Sequence, residues 1–275
     1  MFGKLLKHEL RHTARYHFPI LFISLGASIV MGITLLSKNE GFMLMMTLAL
    51  LLVFASIIII SLIAVIKNFS DTIFSRQGYL TMTLPVKGNH LLASKIIVSF
   101  FWIIISYIAA FLPFSFVIVY IKQQLDAQAM TGEFMQAIKE ILPPAGTIVT
   151  FVLCIVITSL ISILSYVGYV YFSVTIANTR LLNKHPVLFG GLVFIGVSIA
   201  TSVITNLTEK IAPVKFAIGF ERSFFTSKDV WELAMESDEI IIKCIDMNST
   251  IIEAVVAVAL LVVTGYIIEH KINIK

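Results

Sequence analysis

Charged residues are scarce in this chain. Lys, Arg, Asp and Glu account for 13% of its 275 residues, whereas a soluble domain has roughly 25%. Apolar residues are correspondingly abundant, at 58% against about 45–50% in soluble domains. The composition therefore excludes an ordinary soluble domain and indicates a protein that lies largely within a membrane.

Cysteines and common catalytic motifs are also few. Cys154 and Cys244 have a spacing that indicates neither a metal-binding pair nor an obvious disulfide. No His-Glu-x-x-His sequence occurs, which excludes a metalloprotease of that type. No Gly-x-x-x-x-Gly-Lys-Ser/Thr sequence occurs either. We therefore predict that the chain binds no ATP through a phosphate-binding loop and holds no cofactor or metal of its own.

Six apolar runs are long enough to cross a membrane, which takes about 20 mainly apolar residues. The predicted spans are residues 18–37, 41–66, 96–121, 148–177, 186–205 and 251–268. Pro143 and Pro144 are unfavourable inside a helix, so the long fourth run predicts one helix rather than two. The predicted fold is an all-α integral membrane protein with a single domain, residues 1–275, of six transmembrane helices.

The distribution of Lys and Arg predicts the orientation, because cytoplasmic loops retain positive charge. With both termini inside, the cytoplasmic segments contain 12 Lys and Arg, and the three outer loops contain 8. We therefore predict a multi-pass protein of the cytoplasmic membrane with both termini in the cytoplasm. The basic inner face favours contact with anionic lipid and requires no nucleic acid partner.

Titratable residues are almost missing from the predicted spans. The exception is Glu253, about one turn from the outer surface. The histidines lie in or beside predicted cytoplasmic segments, at His8, His12, His17, His90, His185 and His270. Ion-driven carriers and intramembrane serine proteases need such groups within the spans. The energy for any transport is therefore expected from a separate subunit.

Residues 1–17 predict an amphipathic helix that lies along the membrane surface. At 100° per residue its cations fall on one narrow stripe, formed by Lys4, Lys7, Arg11 and Arg15. The pattern leaves two interpretations open. The segment is either a simple interfacial anchor or a helix that also contacts a partner.

Residues 67–95 are too many for a simple connection between two spans. The first part, with Phe69 and Phe74, predicts a short helix that ends at Gly78. Pro85 then forces an extended or turned backbone, and Asn89 is placed to cap a helix that continues into the third span. The segment predicts a docking platform on the basic face, with a structured loop that has no partner as the alternative.

Three features resemble the permease subunit of an ABC-2 type (type V fold) ABC transporter. They are the six-span plan, the basic start Gly-Lys-Leu-Leu-Lys-His-Glu-Leu at residues 3–10, and the sequence Gly-Tyr-Leu-Thr-Met-Thr-Leu-Pro-Val at residues 78–86 with Leu-Leu-Ala-Ser-Lys at 91–95. The resemblance extends over nearly the whole chain. One position departs from it, since many relatives have a carboxylate before the glycine and this chain has Gln77. A glutamine forms hydrogen bonds but no ion pair.

The resemblance implies an ATP-driven exporter subunit rather than an enzyme. It implies ABC ATP-binding subunits that hold ATP and Mg²⁺, and dimerisation with a second copy or a sister permease. A coupling helix between spans two and three would contact the ATPase, with the N-terminal helix as a second contact. The implied coupling residues are Phe69, Phe74, Ser75, Arg76, Gln77, Gly78, Tyr79, Leu80 and Pro85. Outer loops at residues 122–147 and 206–249 complete the plan, the second expected to form re-entrant or short helices.

The resemblance also places a substrate path between spans two and five. The candidate lining residues are Ser56, Ser61, Ser198, Thr201, Ser202 and Thr205. The position of Glu253 leaves two interpretations open, a solvated carboxylate at the outer membrane boundary or a polar contact for a cationic substrate on the exit path. Most hydroxyl residues in membrane helices are packing contacts, and Ser24 and Ser28 on the first span predict a close helix crossing of that kind. The substrate is expected to be an amphiphile such as a peptide, lipid or drug.

Two other functions remain open from the sequence. One is a membrane subunit that binds or senses a substrate without forming a pathway. The other is an intramembrane enzyme that acts on lipid or peptide.

Overall fold

The computed structural model describes residues 2–36, 40–74, 88–127, 144–179, 185–219, 223–228, 232–233 and 241–270. Six long helices account for most of them. Their bounds are α1 Phe2–Leu36, α2 Glu40–Ile73, α3 Gly88–Ala127, α4 Ala145–Ala177, α5 Pro186–Ile211 and α6 Met247–His270. Each helix is long and apolar enough to cross a membrane. The prediction of a multi-pass protein with six apolar helices is therefore confirmed.

The helices extend beyond the predicted spans. Helix α1 is continuous through Pro19, so residues 1–17 are not a separate helix as predicted. Helix α2 likewise continues to Ile73 and includes the region that was predicted to start a short new helix. A proline inside a helix removes one hydrogen bond, yet continuity places the buried residues Thr13, His17 and Ser24 on one face of α1. The packing of this face stabilises the continuous helix by more than the loss of one hydrogen bond at Pro19 destabilises it.

Two helices begin slightly earlier than predicted. Helix α3 begins at Gly88 and continues through the third span, so Asn89 lies inside the helix rather than capping it. Helix α4 begins directly after Pro144 and is a single helix to Ala177, which confirms that the fourth run is not divided into two spans.

The all-α prediction is wrong between α5 and α6. After α5, the chain forms three strands, β1 Lys215–Gly219, β2 Ser223–Thr226 and β3 Ile241–Asp246. They form an antiparallel sheet in the order β2-β1-β3. The strands are rich in Ile and Phe, which favour a half-buried sheet. The re-entrant or short helices that were expected in residues 206–249 are thus partly replaced by strands.

The chain consists of two compact units, residues 1–132 with 274–275 and residues 133–273. In the first unit, α1 and α3 run side by side in the same direction. Ser24 of α1 is buried and donates a hydrogen bond to the carbonyl of Ala109, which confirms the predicted close crossing. Helix α2 runs in the opposite direction, and Ile57 packs with Ile20 and Ala110 in a small core.

The second unit contains α4, α5, α6 and the sheet. Helices α4 and α6 run in the same direction, because Ser165 donates to the carbonyl of Glu253 and Gly168 lies against Ala257 one turn further along both helices. Helix α5 packs on α4 near Gly190 and Ala177. Each unit is therefore a three-helix arrangement of long apolar helices.

Candidate functional site

A buried ion pair joins α1 to α3 in the first unit. The Lys95 ammonium lies 2.8 Å from the Glu9 carboxylate, and both side chains are almost fully buried. Lys95 also donates to the Thr72 hydroxyl of α2 at 2.6 Å. We call Glu9, Thr72 and Lys95 the Lys95 network. It connects all three helices of this unit.

Removing one charge of the Lys95 network is expected to cost much folding free energy. Placing a charge in a low-dielectric interior costs several kcal/mol, and leaving one charge of a pair unpartnered costs about 3–5 kcal/mol. The two charges lie 86 residues apart in the chain. This ion pair fixes the position of α1 along its axis relative to α3. If α1 moved by one turn, neither Glu9 nor Lys95 would meet another residue of opposite charge on the facing helix.

The Lys95 network also contains one residue from near each end of the predicted docking platform, residues 67–95. Thr72 is one residue before the end of α2, and Lys95 lies within the first two turns of α3. The Thr72 hydroxyl in turn donates to the carbonyl of Asn68 at 2.6 Å. The two helix ends are thereby fixed to each other and to Glu9.

His12 and His17 extend the polar contacts along α1. The His12 ring lies 3.2 Å from the Asn68 side-chain oxygen. His17 is fully buried, with Nδ1 3.1 Å from the Ser106 hydroxyl. Its ring stacks nearly parallel on Trp102, with centroids 5.0 Å apart. These contacts join α1 to α2 and α3, at positions that follow Glu9 along α1.

The cation stripe lies on the opposite face of α1. Lys4, Lys7, Arg11 and Arg15 are all exposed. The Arg15 guanidinium lies 5.5 Å from the Tyr16 ring centroid, a cation–π contact. One helix thus combines a buried polar face with an exposed basic face.

The predicted coupling residues divide into two groups. Phe69 is fully buried and packs edge-to-face against the partly buried Phe74, so this pair contributes to the interior of the first unit rather than to an exposed surface. The others lie outside the described residues: Ser75, Arg76, Gln77, Gly78, Tyr79, Leu80 and Pro85.

The predicted path residues mostly hydrogen-bond within their own helices. In the first unit, Ser56 donates to the carbonyl of Val53, and Ser61 is buried. In the second unit, Ser198 and Thr201 donate to carbonyls one turn earlier in α5. Ser202 is exposed and Thr205 is half-buried. Such bonds are typical of hydroxyls that serve helix packing.

Glu253 has a direct partner in the second unit. The Ser162 hydroxyl of α4 donates to its carboxylate at 3.3 Å, and Ser165 donates to its backbone carbonyl at 3.1 Å. The carboxylate is therefore held at the contact between α4 and α6. The sequence identified Glu253 but not the two serines as its partners.

The Lys95 network was missed by the sequence analysis, although a signal was present. Glu9 is the one acidic residue among residues 1–17, and Thr13 and His17 follow at intervals of four. That spacing places three polar residues in a line on the face away from the cations. A polar line on the non-cationic face indicates a buried polar contact.

Comparison with protein-family models, with curated proteins and with solved structures gives no match. Among the residues that the structure describes, no three His, Cys, Asp or Glu side chains converge as a metal site would require.

Proposed function

We propose that this chain is the membrane-spanning subunit of an ATP-driven exporter of the ABC-2 type. The main support is the Lys95 network, which links both flanks of residues 75–87 to α1. A segment that receives force from an ATPase must be attached firmly to the spanning helices. Thr72 and Lys95 supply such attachments on the two sides of this segment.

In the proposed mechanism, an ATP-binding subunit contacts residues 75–87 from the cytoplasm. ATP-driven closure of two such subunits moves this segment, and Thr72 and Lys95 transmit the movement to α2, α3 and, through Glu9, to α1. The helices then change between inward-open and outward-open arrangements. The exposed cation stripe of α1 is a second contact, for the ATPase or for anionic lipid.

The pathway is proposed to form with a second copy of the chain or with a sister permease. Its substrate is an amphiphile, and Thr201 and Glu253 are the lining candidates with the most defined contacts. Both belong to the second unit, where Thr201 is buried and Glu253 is bonded to Ser162. ATP and Mg²⁺ are held by the partner subunit in this proposal.

The first test is purification of the full-length chain from its own membrane. We expect an ATP-binding subunit with a phosphate-binding loop to co-purify, and the complex in vesicles to move an amphiphile only when ATP is hydrolysed. Absence of ATP-dependent movement with substrate binding intact would favour a sensor subunit. Chemical turnover by this chain alone would favour an enzyme.

The second test addresses coupling. Thr72→Val removes the acceptor that Lys95 uses on α2, and Gly78→Val alters the predicted turn. Both are expected to leave the complex assembled but to reduce substrate-stimulated ATP hydrolysis. The control is Ser94→Ala, because the buried Ser94 hydroxyl donates to the Leu91 carbonyl within α3. Equal stimulation in all three variants would contradict the coupling role.

A further inference from the structure

A pocket of about 410 Å³ lies in the second unit between the sheet and helices α4 and α6. One row of side chains from the three strands forms its roof. Phe216 of β1 is in register with Phe225 of β2 and Ile245 of β3, and all three line the pocket. The two Phe rings are 5.0 Å apart. The roof is thus a continuous apolar row across the whole sheet.

The floor is equally apolar. It consists of residues from α4, such as Ile157 and Ile161, and from α6, such as Ile251 and Ala254. Two threonines also line it, but Thr158 donates to the carbonyl of Cys154 and Thr250 to that of Asp246. Their hydroxyl hydrogens are thereby directed to backbone carbonyls, that of Thr158 within α4 and that of Thr250 to the last residue of β3.

The apolar lining determines which kind of ligand the pocket can bind. A polar group that enters such a pocket loses its hydrogen bonds to water without replacement. A buried water needs 2–4 polar partners, and apolar cavities stay dry and accept hydrocarbons instead. The volume lies within the range of about 300–1,000 Å³ that is usual for small-molecule sites. The pocket therefore suits an apolar chain and disfavours water or a polar ligand.

Lys215 and Asp246 lie on the other face of the sheet. Side chains alternate along a strand, so Lys215 points away from its neighbour Phe216. The Lys215 ammonium lies 3.0 Å from the Glu209 carboxylate and 3.7 Å from that of Asp246. The ion pairs of Lys215 thus lie on the face of the sheet opposite the apolar row, and that row covers two helices that are each able to cross a membrane.

We propose that this pocket binds one hydrocarbon chain of an amphiphile, held between the sheet and helices α4 and α6. The proposal does not depend on the exporter function. Two sources supply such a chain: the acyl chain of a bilayer phospholipid, or the tail of a single-chain amphiphile that reaches the protein separately.

The test uses the full chain in lipid nanodiscs with a photoreactive diazirine near the end of a hydrocarbon chain. One arm uses a two-chain phosphatidylcholine, and the other a single-chain lysophosphatidylcholine. Peptide mass spectrometry compares pocket residue Ile251 with Val258 on the same helix, and Ile157 with Leu153. All four are 55% exposed, but only Ile251 and Ile157 line the pocket.

We expect the pocket residues to acquire about fivefold more adducts than their matched controls, because a chain under the roof has contacts on both sides. Preferential labelling in the phosphatidylcholine arm identifies bilayer lipid as the source, and labelling only in the lysophosphatidylcholine arm identifies a separate amphiphile. Equal labelling of Ile251 and Val258 in both arms would overturn the proposal.

Filling the pocket provides the second readout. Ala254→Phe is expected to lower adduct formation at Ile251 roughly tenfold, since the ring occupies the space of several methylenes. Val258→Phe adds a ring on the same helix outside the pocket and should leave labelling unchanged. If Ala254→Phe does not fold, Phe225→Ala, at a side chain that is 66% exposed, removes part of the roof. Unchanged Ile251 labelling in a folded variant of either kind would contradict the proposal.

Discussion

The two units of this protein have similar helix arrangements but different contacts. In each, the first and third helices run in the same direction, as α1 and α3 do through Glu9 and Lys95 and as α4 and α6 do through Ser165 and Glu253. The first unit uses a buried ion pair and two histidines. The second uses small residues and hydroxyl groups. Similar helix geometry can therefore be maintained by contacts of very different strength and specificity.

In the proposed mechanism, this difference has a functional counterpart. Removing one partner of a buried ion pair costs about 3–5 kcal/mol, and Lys95 of the pair in the first unit lies, with its partner Thr72, at the helix ends on either side of residues 75–87. The contacts between α4 and α6 involve close backbone approach and one carboxylate with a hydroxyl partner. We expect the first unit to transmit force and the second to repack more easily. Four predictions test this comparison.

The largest effect is expected for Lys95→Met in the first unit. It leaves the buried Glu9 carboxylate without its cation, so the free energy of unfolding should fall by about 3–5 kcal/mol. Adding Glu9→Leu should recover much of the loss, because an apolar pair of similar volume is often tolerated. Denaturant unfolding of the purified protein measures both variants.

The control for that prediction is Lys67→Met, which removes an exposed cation from α2. Its effect should stay within about 0.5 kcal/mol. If Lys95→Met were no more destabilising than Lys67→Met, the contrast between the two units would be lost.

A smaller effect is expected for Gly168→Val in the second unit. A Cβ at position 168 would lie 3.2 Å from the Ala257 carbonyl oxygen, so α4 and α6 must separate slightly. Overpacking of this kind costs about 1–3 kcal/mol. Gly196→Val on α5 is the matched control, because a Cβ there meets nothing within 4 Å. Equal stability of the two variants would show that the close approach of α4 and α6 is unimportant.

The hydrogen bond between Ser162 and Glu253 should contribute less. Ser162→Ala is expected to destabilise the second unit by about 0.5–1.5 kcal/mol. A double-mutant cycle with Glu253→Gln isolates the pairwise energy. Ser198→Ala serves as the control, since the Ser198 hydroxyl donates to the Phe194 carbonyl of its own helix. A coupling energy near zero would show that the Glu253 side chain does not stabilise the contact between α4 and α6.

The smallest effect on stability is expected for the cation stripe. Replacing Lys4 and Lys7 by Gln should change the free energy of unfolding by less than about 0.5 kcal/mol, because both side chains are exposed. Retention of anionic lipid should nevertheless weaken, by about 1 kcal/mol for each lysine. Native mass spectrometry of the purified protein measures the retained lipid. A large loss of stability would contradict this prediction, because it would show that these lysines stabilise the fold.

Much of the arrangement of helices along the chain was predictable from the sequence, because it depends on properties of single segments. Apolar length and proline position act within one segment, so the six helices and the undivided α4 followed from counting residues. The cation stripe followed from helical periodicity. The sheet did not, because strand pairing joins residues that are far apart in the chain, such as Phe216 and Ile245.

The candidate site was predictable only in part, since Glu253 and the flanks of the coupling segment were identified but their partners were not. The sequence by itself determined the number, order and apolar length of the spans, because each helix satisfies its own backbone hydrogen bonds. Only the tertiary structure decided that Glu9 pairs with Lys95, that α1 continues through Pro19 and that a sheet covers an apolar pocket. Those outcomes depend on which distant side chains become buried together, and desolvation makes that choice energetically decisive.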